Sequence, residues 1–436
     1  MHQSTQNIWL RYGFVDNPFD TRALSHTSNF PIGKAYVKRK NYNEIGGLFD
    51  YFLRIPNGGR IIVEGDSGVG KTTFVNFHKA SWRGMQTREK LFSPETEISV
   101  NEDWNIENFI FNALGSLVGQ IRLDIGERKF NKHKFLKEIL SFSGVLFQTI
   151  PGISTNIGIP TLFSVGGSVS KTTSVTIGKN IESQLQQYLN KTIEFIMGLG
   201  YRGVILHFNN MELLQHKNTS ELKGLFEGIR DVLQTANIYF VFIGGKGLYN
   251  KIIMPNTRVR SIFYDEPIVI PALDLENLKE IIDRRYKLSS KRSDFVKPVS
   301  DGVLEYLHTC FGGRIRDIMN TITNLISRIP EGVIKTITLD EVKPKLLAIE
   351  EQKLRRQDFS ETEIEFLKVL LELDKFSNSE LASKLGKSKQ YINKYLSEFR
   401  KNEVIVKFEK MGRNIIYTIH PRFTLLKALI CERDDY

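Results

Sequence analysis

The sequence predicts an α/β fold in which a parallel sheet is covered by helices, followed by an all-helical segment and a small C-terminal domain. Apolar runs of strand length alternate with stretches of helical periodicity up to about residue 272. From Asp274 onward the pattern is helical until two short strands near the C-terminus. Because the strands before residue 272 are apolar along their length, the sheet is expected to be buried on both faces.

The composition is that of a soluble globular protein with an unusual charge. A chain of 436 residues exceeds what one hydrophobic core normally serves, so two or three domains are expected. The formal net charge of +11 favours a polyanionic partner, although a basic surface also occurs for solvation alone. Cys310 and Cys431 lack metal-ligand spacing, and no stretch reaches the roughly 18 apolar residues that span a bilayer. These features predict a cytoplasmic protein without a membrane span.

A glycine-rich segment lies between a predicted strand, Arg60–Val63, and a predicted helix that starts near Thr73. The segment matches the pattern G-x-x-x-x-G-K-T and consists of Gly65, Asp66, Ser67, Gly68, Val69, Gly70, Lys71, Thr72 and Thr73. Its glycines allow backbone N–H groups to surround phosphate oxygens, while Lys71 would reach the β and γ phosphates and Thr72 would bind Mg²⁺. A plain connector is the alternative, which the complete motif and its flanks disfavour. The segment predicts ATP and Mg²⁺ as cofactors.

The segments around this loop are less distinctive. Residues 1–30 are aromatic and polar without periodicity, which is typical of a linker lying over a domain surface. A second strand is predicted over Glu95–Val100, followed by helical periodicity over residues 103–140. Residues 143–178 are small, apolar and β-branched, which predicts one or two inserted β-hairpins. A membrane-touching loop is the alternative, but the flanks lack a basic amphipathic helix.

Two further buried strands complete the first domain, which is predicted to span residues 31–272. The run Gly203–Phe208 is followed by Asn209 and Asn210, and the run Ile238–Ile243 is followed by Gly244-Gly245. A short strand is predicted over Ile268–Ile270. Residues 273–350 then carry three helical patterns, with Gly312-Gly313 as a joint, and predict a small helical domain.

Residues 357–436 predict a winged-helix domain, because three helical patterns are followed by a hairpin of two strands. Basic and polar residues fall on the third helix and on the hairpin, where they would contact DNA phosphates and base edges. These candidates are Lys387, Ser388, Lys389, Gln390, Asn393, Lys394, Lys407, Lys410 and Arg413. The alternative is a winged helix that contacts only proteins.

The order of these motifs resembles the AAA+ ATPases of the origin-recognition type, over nearly the whole chain. The resemblance implies a P-loop NTPase domain, an all-α lid and a C-terminal winged helix. It implies that Arg316, in Gly312-Gly313-Arg314-Ile315-Arg316, is the lid arginine that reaches the γ-phosphate. It also implies that Gly33, followed by Lys34, lies near the adenine. Arg258 or Arg260 falls where the family carries an arginine finger that acts on a neighbouring subunit.

Two positions depart from the family pattern. The strand that should end in a Mg²⁺-binding Asp and a catalytic Glu ends in Asn209-Asn210, and Glu212 is the nearest carboxylate. Asn209 can hydrogen-bond a metal-bound water, but an amide cannot act as a base. Gly244-Gly245 occupies the position of the family's polar sensor after the next strand. The departures predict that ATP is bound and hydrolysed slowly, if at all.

The sequence therefore favours an ATP-binding AAA+-type protein that binds DNA through its winged helix and forms a homo-oligomer under control of ATP. The alternative for Arg258 and Arg260 is a pair of surface arginines that contact solvent or DNA. A second hypothesis for the whole chain is an ATP-dependent switch or scaffold in a multi-protein system such as phage defence, with protein partners on the winged helix. Replication, transposition, plasmid maintenance and defence all remain open as pathways.

Overall fold

The structure is a computed structural model. It describes residues 7–25, 28–101, 104–149, 181–216, 219–264, 266–290, 294–330, 333–355, 359–373, 375–402, 404–411, 414–420, 423 and 425–427. The chain divides into two compact units, one of Arg22–Leu273 and one of Met1–Thr21 together with Asp274–Tyr436. Among the described helices, none is both long and apolar enough to cross a membrane.

The described helices are numbered in chain order. They are α1 (Ile8–Arg11), α2 (Ile32–Ala35), α3 (Tyr42–Arg54), α4 (Lys71–Arg83), α5 (Ile106–Ile125), α6 (Glu127–Phe130), α7 (Lys134–Thr149), α8 (Ile181–Gly198), α9 (Thr219–Gly228), α10 (Arg230–Leu233), α11 (Thr257–Arg260), α12 (Leu275–Ser289), α13 (Asp301–Phe311), α14 (Ile315–Ile326), α15 (Leu339–Arg355), α16 (Glu361–Leu371), α17 (Asn378–Leu385) and α18 (Lys389–Lys401). A 3-10 helix (Met211–His216) and a π-helical turn (Tyr249–Ile253) accompany them.

The unit Arg22–Leu273 is built around a parallel β-sheet. Its strands are β1 (Gly58–Glu64), β2 (Leu91–Phe92), β3 (Ile98–Ser99), β4 (Gly203–Asn209), β5 (Ile238–Gly244) and β6 (Ile268–Val269). The spatial order is β2, β4, β5, β1, β6, and β3 also pairs with β4. Strand β1 is therefore internal, with β5 along one edge and β6 along the other. The predicted parallel sheet is confirmed.

Both faces of this sheet are covered, as the continuous apolar strands predict. Along β5, Phe240 and Phe242 pack into a core that contains residues of α5 and α8. The intervening Tyr239 and Val241 pack into a second core, with residues of α3 and α4. Because side chains alternate between the two faces of a strand, each face has its own helical layer. The helices on the second face include α4, which follows the glycine-rich loop.

Two sequence-based predictions in this unit are corrected. The strand expected over residues 95–100 is short and covers Ile98–Ser99. The hairpins expected from residue 143 are not observed over residues 143–149, since these residues belong to α7 (Lys134–Thr149). Leu136, Ile139 and Phe142 are buried at helical spacing, so the periodicity of the preceding stretch continues past its predicted end. The remainder of the predicted insertion, residues 150–178, lies outside the described residues.

The N-terminal segment belongs to a hydrophobic core in the second unit. Trp9, Tyr12, Phe14 and Phe19 are buried in one cluster with the helices that follow residue 274. Phe14 stacks on Tyr286 of α12 with ring centroids 5.3 Å apart. The prediction of a surface linker is therefore corrected for residues 9–19, because large aromatic side chains gain most free energy when removed from water.

The end of this unit combines three helices with a small antiparallel sheet. The strands are β7 (Phe376–Ser377), β8 (Ile405–Met411) and β9 (Asn414–Ile419), in the spatial order β7, β9, β8. Helices α16 and α17 each begin with a capping box, in which Ser360 and Ser377 exchange hydrogen bonds with the glutamate three residues later. The hairpin was predicted from the sequence, whereas β7 was not. The winged-helix interpretation of these elements stays a prediction.

Candidate phosphate-binding site

The glycine-rich loop connects β1 to α4, the helix that begins at Lys71. Gly65, Gly68 and Gly70 have φ values of +155°, +79° and +93°, in the region that side chains disfavour. A Cβ atom on Gly65 would lie 2.7 Å from the carbonyl oxygen of Ile270. Because the first N–H groups of a helix have no partner within it, the start of α4 directs donors toward the loop. This backbone has the properties of an anion-binding site.

Lys71 lies in the first turn of α4 with its side chain folded over the loop. The Nζ atom donates to the carbonyl oxygens of Gly65 and Asp66 at 2.8 and 2.9 Å. The carbonyl oxygens of Gly65 and Asp66 therefore hold the ammonium group at the start of the loop. These contacts place a positive charge beside the loop, and a charged donor makes stronger hydrogen bonds to a phosphate than a neutral one does.

The other residues of the loop differ in their orientation. Val69 is fully buried, so its contribution to the loop is its backbone. The hydroxyl of Thr73 accepts from the N–H of Leu24 at 3.3 Å and supports the preceding segment. Ser67 is exposed.

Strand β4 brings Asn209 to the phosphate loop. Ile205 faces α4, and because side chains four residues apart lie on the same face of a strand, Asn209 does too. Its Nδ2 atom donates to Thr72 Oγ1 at 3.2 Å. This hydrogen bond brings together two residues that are 137 positions apart in the sequence, and their role in binding a metal stays a prediction.

Asn210 points elsewhere. It adopts a φ of +62°, a conformation that asparagine tolerates better than most residues, and its Nδ2 atom donates to Ser99 Oγ at 2.6 Å. Glu212 follows in the first turn of the 3-10 helix and is exposed. The two adjacent asparagines therefore have different partners: Asn209 contacts Thr72, and Asn210 contacts Ser99 of β3.

These residues fit Mg²⁺ only in part. Thr72 offers a hydroxyl oxygen, whereas the Oδ1 atom of Asn209 already accepts from the N–H of Asn210 at 3.0 Å. Within the described part of the chain, no three His, Cys, Asp or Glu side chains cluster as a metal site. Because Mg²⁺ keeps several waters and takes nucleotide phosphates as ligands, Thr72 would be its main protein ligand. Asn209 would then contact the metal through water.

Two residues that the sequence analysis did not single out connect the loop to β5. Glu64 ends β1 with a buried side chain, and it accepts from the backbone N–H groups of Gly247 and Tyr249. Lys246 pairs with Asp66, with Nζ 2.7 Å from Oδ2. The available sequence signals were a carboxylate directly before the glycine-rich motif and a lysine directly after Gly244-Gly245.

A third missed residue is Arg39, which follows α2. Its guanidinium donates to the carbonyl oxygens of Val69 and Pro271, so it braces the loop against the segment after β6. Gly33 and Lys34, the residues implied by family resemblance to lie near the adenine, are exposed in α2. Nothing near Gly33 would obstruct a side chain at that position.

Two titratable side chains near α4 belong to the interior. Burial and the nearby Lys79 charge lower the pKa of His207 well below its usual value, so its imidazole is neutral. Burial lowers the pKa of Lys79 to about 8, while Glu97 opposes this shift. Since both side chains lie inside the protein, neither is positioned as a base for a ligand on the loop.

The predicted arginines are exposed. Arg258 and Arg260 lie on α11, and the intervening Val259 is buried. In the second unit Arg316 is exposed in the first turn of α14, whereas the neighbouring Arg314 pairs with Asp317 at 3.1 Å. Burial raises the pKa of Asp317, and Arg314 and Arg316 partly oppose this. Arg316 is therefore the guanidinium of this turn that is accessible to a ligand.

The candidate DNA-binding residues lie at the start of α18 and on the hairpin. Ser388 caps α18 by accepting from the N–H of Tyr391 at 3.2 Å. The exposed candidates around this start are Lys387, Ser388, Lys389, Gln390, Asn393 and Lys394. Lys407 and Lys410 belong to β8, and Arg413 lies outside the described residues.

Comparisons with known proteins give similar structures but no sequence relatives. No family profile and no curated protein matches the sequence. The Aeropyrum pernix ORC2 protein, solved as ADPNP–ADP complexes, is 12% identical with a TM-score of 0.46, and the alignment covers 97% of this chain and 100% of that one. Aeropyrum pernix ORC1 in complex with DNA is 14% identical, with a TM-score of 0.42 and coverages of 91% and 94%. Cdc6p from Pyrobaculum aerophilum is 13% identical, with a TM-score of 0.42 and coverages of 96% and 99%.

The two asparagines provide a matched pair of substitutions for the metal. Asn209→Asp places a carboxylate beside Thr72, so the Mg²⁺ concentration that half-saturates ATP binding should fall several-fold. Asn210→Asp adds the same charge but directs it toward Ser99, so a smaller change is expected. Titrating Mg²⁺ against a fluorescent ATP analogue measures both. Equal effects of the two substitutions would show that Asn209 has no special access to the metal.

Proposed function

We propose that this protein is an AAA+-type ATP-binding protein that binds DNA through its C-terminal domain and uses its nucleotide state to control self-association. The observation that carries the proposal is the loop from Gly65 to Thr72, which joins an internal parallel strand to the start of a helix. Its glycine backbone, its lysine and its threonine form one anion-binding surface. This combination of glycine backbone, lysine and threonine is suited to binding a nucleoside triphosphate.

Different groups of the loop would bind different parts of ATP·Mg²⁺. The backbone N–H groups of the loop and of the first turn of α4 would bind the β-phosphate, and Lys71 would exchange the Gly65 and Asp66 carbonyls for phosphate oxygens. Bound Mg²⁺ would neutralise phosphate charge. Asn209 stands where a metal-binding carboxylate would serve and Asn210 bonds to Ser99, so neither provides a base. We therefore propose slow hydrolysis, with Glu212 as the nearest candidate base.

The basic start of α18 supports DNA as the partner of the C-terminal domain. One side of α18 is buried through Ile392, Leu396 and Phe399, whereas the lysines around its start are exposed. A helix anchored in this way presents its N-terminal residues to a groove. Lysines supply contacts to phosphates, while Gln390 and Asn393 have amides suited to base edges.

The proposal predicts a complete dependence of nucleotide binding on Lys71. Lys71→Ala removes a charged donor from the loop and should abolish measurable ATP binding, a loss of at least about 100-fold. Isothermal titration calorimetry with the full chain measures the effect. Lys191→Ala, an exposed lysine on α8, is the control for loss of one charge. Unchanged ATP affinity in the Lys71 variant would contradict the proposed function.

DNA binding should depend steeply on salt. Each phosphate contact contributes a slope of about −0.9 to log affinity against log salt on duplex DNA. Replacing Lys387 and Lys389 by alanine should therefore weaken binding and reduce the slope by about 2. Lys368→Ala, on the exposed side of α16, should change neither. Affinity that is independent of salt would instead favour the use of this domain for protein contacts.

Self-association should require ATP and the arginines of α11. An exposed guanidinium stabilises a neighbour's phosphate most strongly when the interface excludes water, because charges interact more strongly at a lower effective dielectric constant. Arg258→Ala with Arg260→Ala should abolish ATP-dependent assembly, measured by analytical ultracentrifugation. Lys134→Ala with Lys137→Ala removes the same charge from the exposed side of α7 and serves as the control. A wild-type chain that stays monomeric with ATP would refute this part of the proposal.

A further inference from the structure

A second ammonium group lies beside the phosphate loop. Lys246 follows β5, and its Nζ atom contacts the carboxylate of Asp66 at 2.7 Å, while Lys71 contacts the backbone carbonyl of the same residue. Both side chains of the Lys246–Asp66 pair are about half exposed, at 59% and 49%. Exposed ion pairs of this kind contribute little, about 0–1 kcal/mol, to stability. The pair can therefore be broken by a stronger competing anion.

The backbone that carries Lys246 is held in place by β1. Glu64 is the last residue of β1, and its buried carboxylate accepts from the N–H groups of Gly247 and Tyr249. Glu64 is also directly opposite Gly244 in the pairing of β1 with β5. The carboxylate before the phosphate loop thus positions the segment after β5, and only the side chain of Lys246 needs to move to change partners.

Lys246 lies at the edge of the sheet where the outer end of a bound nucleoside triphosphate would lie. Ligands of open α/β sheets bind beyond the carboxyl ends of the strands. At that edge Asn209 ends the strand on one side of β5, the phosphate loop follows β1 on the other side, and Lys246 follows β5 between them. The loop and the start of α4 would surround the inner phosphates of a bound nucleotide, so the terminal phosphate would face this gap.

We propose that Lys246 is a γ-phosphate-binding residue that is held by Asp66 without nucleotide and transferred to the terminal phosphate when ATP binds. This inference rests on the proposed ATP binding and adds its regulation. The transfer is favoured because the terminal phosphate carries more negative charge than a single carboxylate. It also separates Asp66 from its counterion, so Asp66 opposes ATP binding. Lys246 therefore distinguishes ATP from ADP in a site whose polar sensor position is occupied by glycine.

The test compares two nucleotides in variants of the full chain. Mg²⁺ complexes of β,γ-imido-ATP and ADP are titrated by isothermal calorimetry. Lys246→Met should weaken the ATP analogue about tenfold or more, the usual effect of losing a charged hydrogen bond, and should change ADP less than about twofold. Lys246→Arg should retain most of the affinity. Asp66→Asn should tighten the ATP analogue, since it removes both the competitor and a like charge. Lys251→Met, an exposed lysine of the same segment, is the control.

The outcomes separate this inference from the proposed function. If Lys246→Met weakens the binding of both nucleotides equally, or of neither, the role of Lys246 is overturned. The proposed function then still stands if the wild-type chain binds ATP and Lys71→Ala does not. A wild-type chain that binds neither nucleotide overturns both. Thermal melting of each variant checks folding, and a Lys246→Met chain that is unfolded while Lys246→Arg binds normally would assign the lysine to stability and overturn the inference.

Discussion

The internal position of β1 is the constraint on which the site depends. Strand β5 pairs with one edge of β1 and β6 with the other, so the backbone at its carboxyl end has little freedom. The chain leaves β1 at Gly65 beside the carbonyl oxygen of Ile270, where a side chain would collide. The sheet fixes the position of the first residue of the loop that follows, and the start of α4 fixes the position of its last residue. Because both ends are held, its N–H groups are arranged without a ligand, so little loss of conformational freedom would oppose the proposed binding of phosphate.

Strand β4 and the segment after β5 place polar side chains beside this loop. Asn209 comes from β4 and contacts Thr72, whereas Lys246 comes from the end of β5 and contacts Asp66. Glu64 links β1 to the segment that carries Lys246, since its carboxylate accepts from the N–H groups of Gly247 and Tyr249. The resulting site is rich in amides and cations where carboxylates would be expected in an efficient ATPase. On the proposed function, such a balance would stabilise bound phosphate more than it would activate a water molecule.

The second unit shows how a segment without periodicity can belong to a core. Residues 9–19 supply aromatic side chains that pack with α12, and Arg285 donates to the backbone carbonyl of Asp20 in the same region. In the C-terminal part of this unit, local hydrogen bonds determine where the helices begin. Two capping boxes and a serine cap set the starts of α16, α17 and α18. The lysines around the start of α18 are exposed, while Ile392, Leu396 and Phe399 anchor that helix in the core. Local capping and packing together thus place the basic surface.

The sheet, the glycine-rich loop and the order of the helices could be read from the sequence, because each depends on neighbouring residues: apolar runs, glycine spacing and capping signals. Most of the candidate residues of the loop were identified in the same way. The contacts of Lys246 with Asp66 and of Asn209 with Thr72 join positions 180 and 137 residues apart, so no local pattern encodes them. The burial of Phe14 likewise depends on Tyr286, a distant partner. Local preference sets the elements and the loop, whereas the pairing of strands determines which polar side chains meet at their ends.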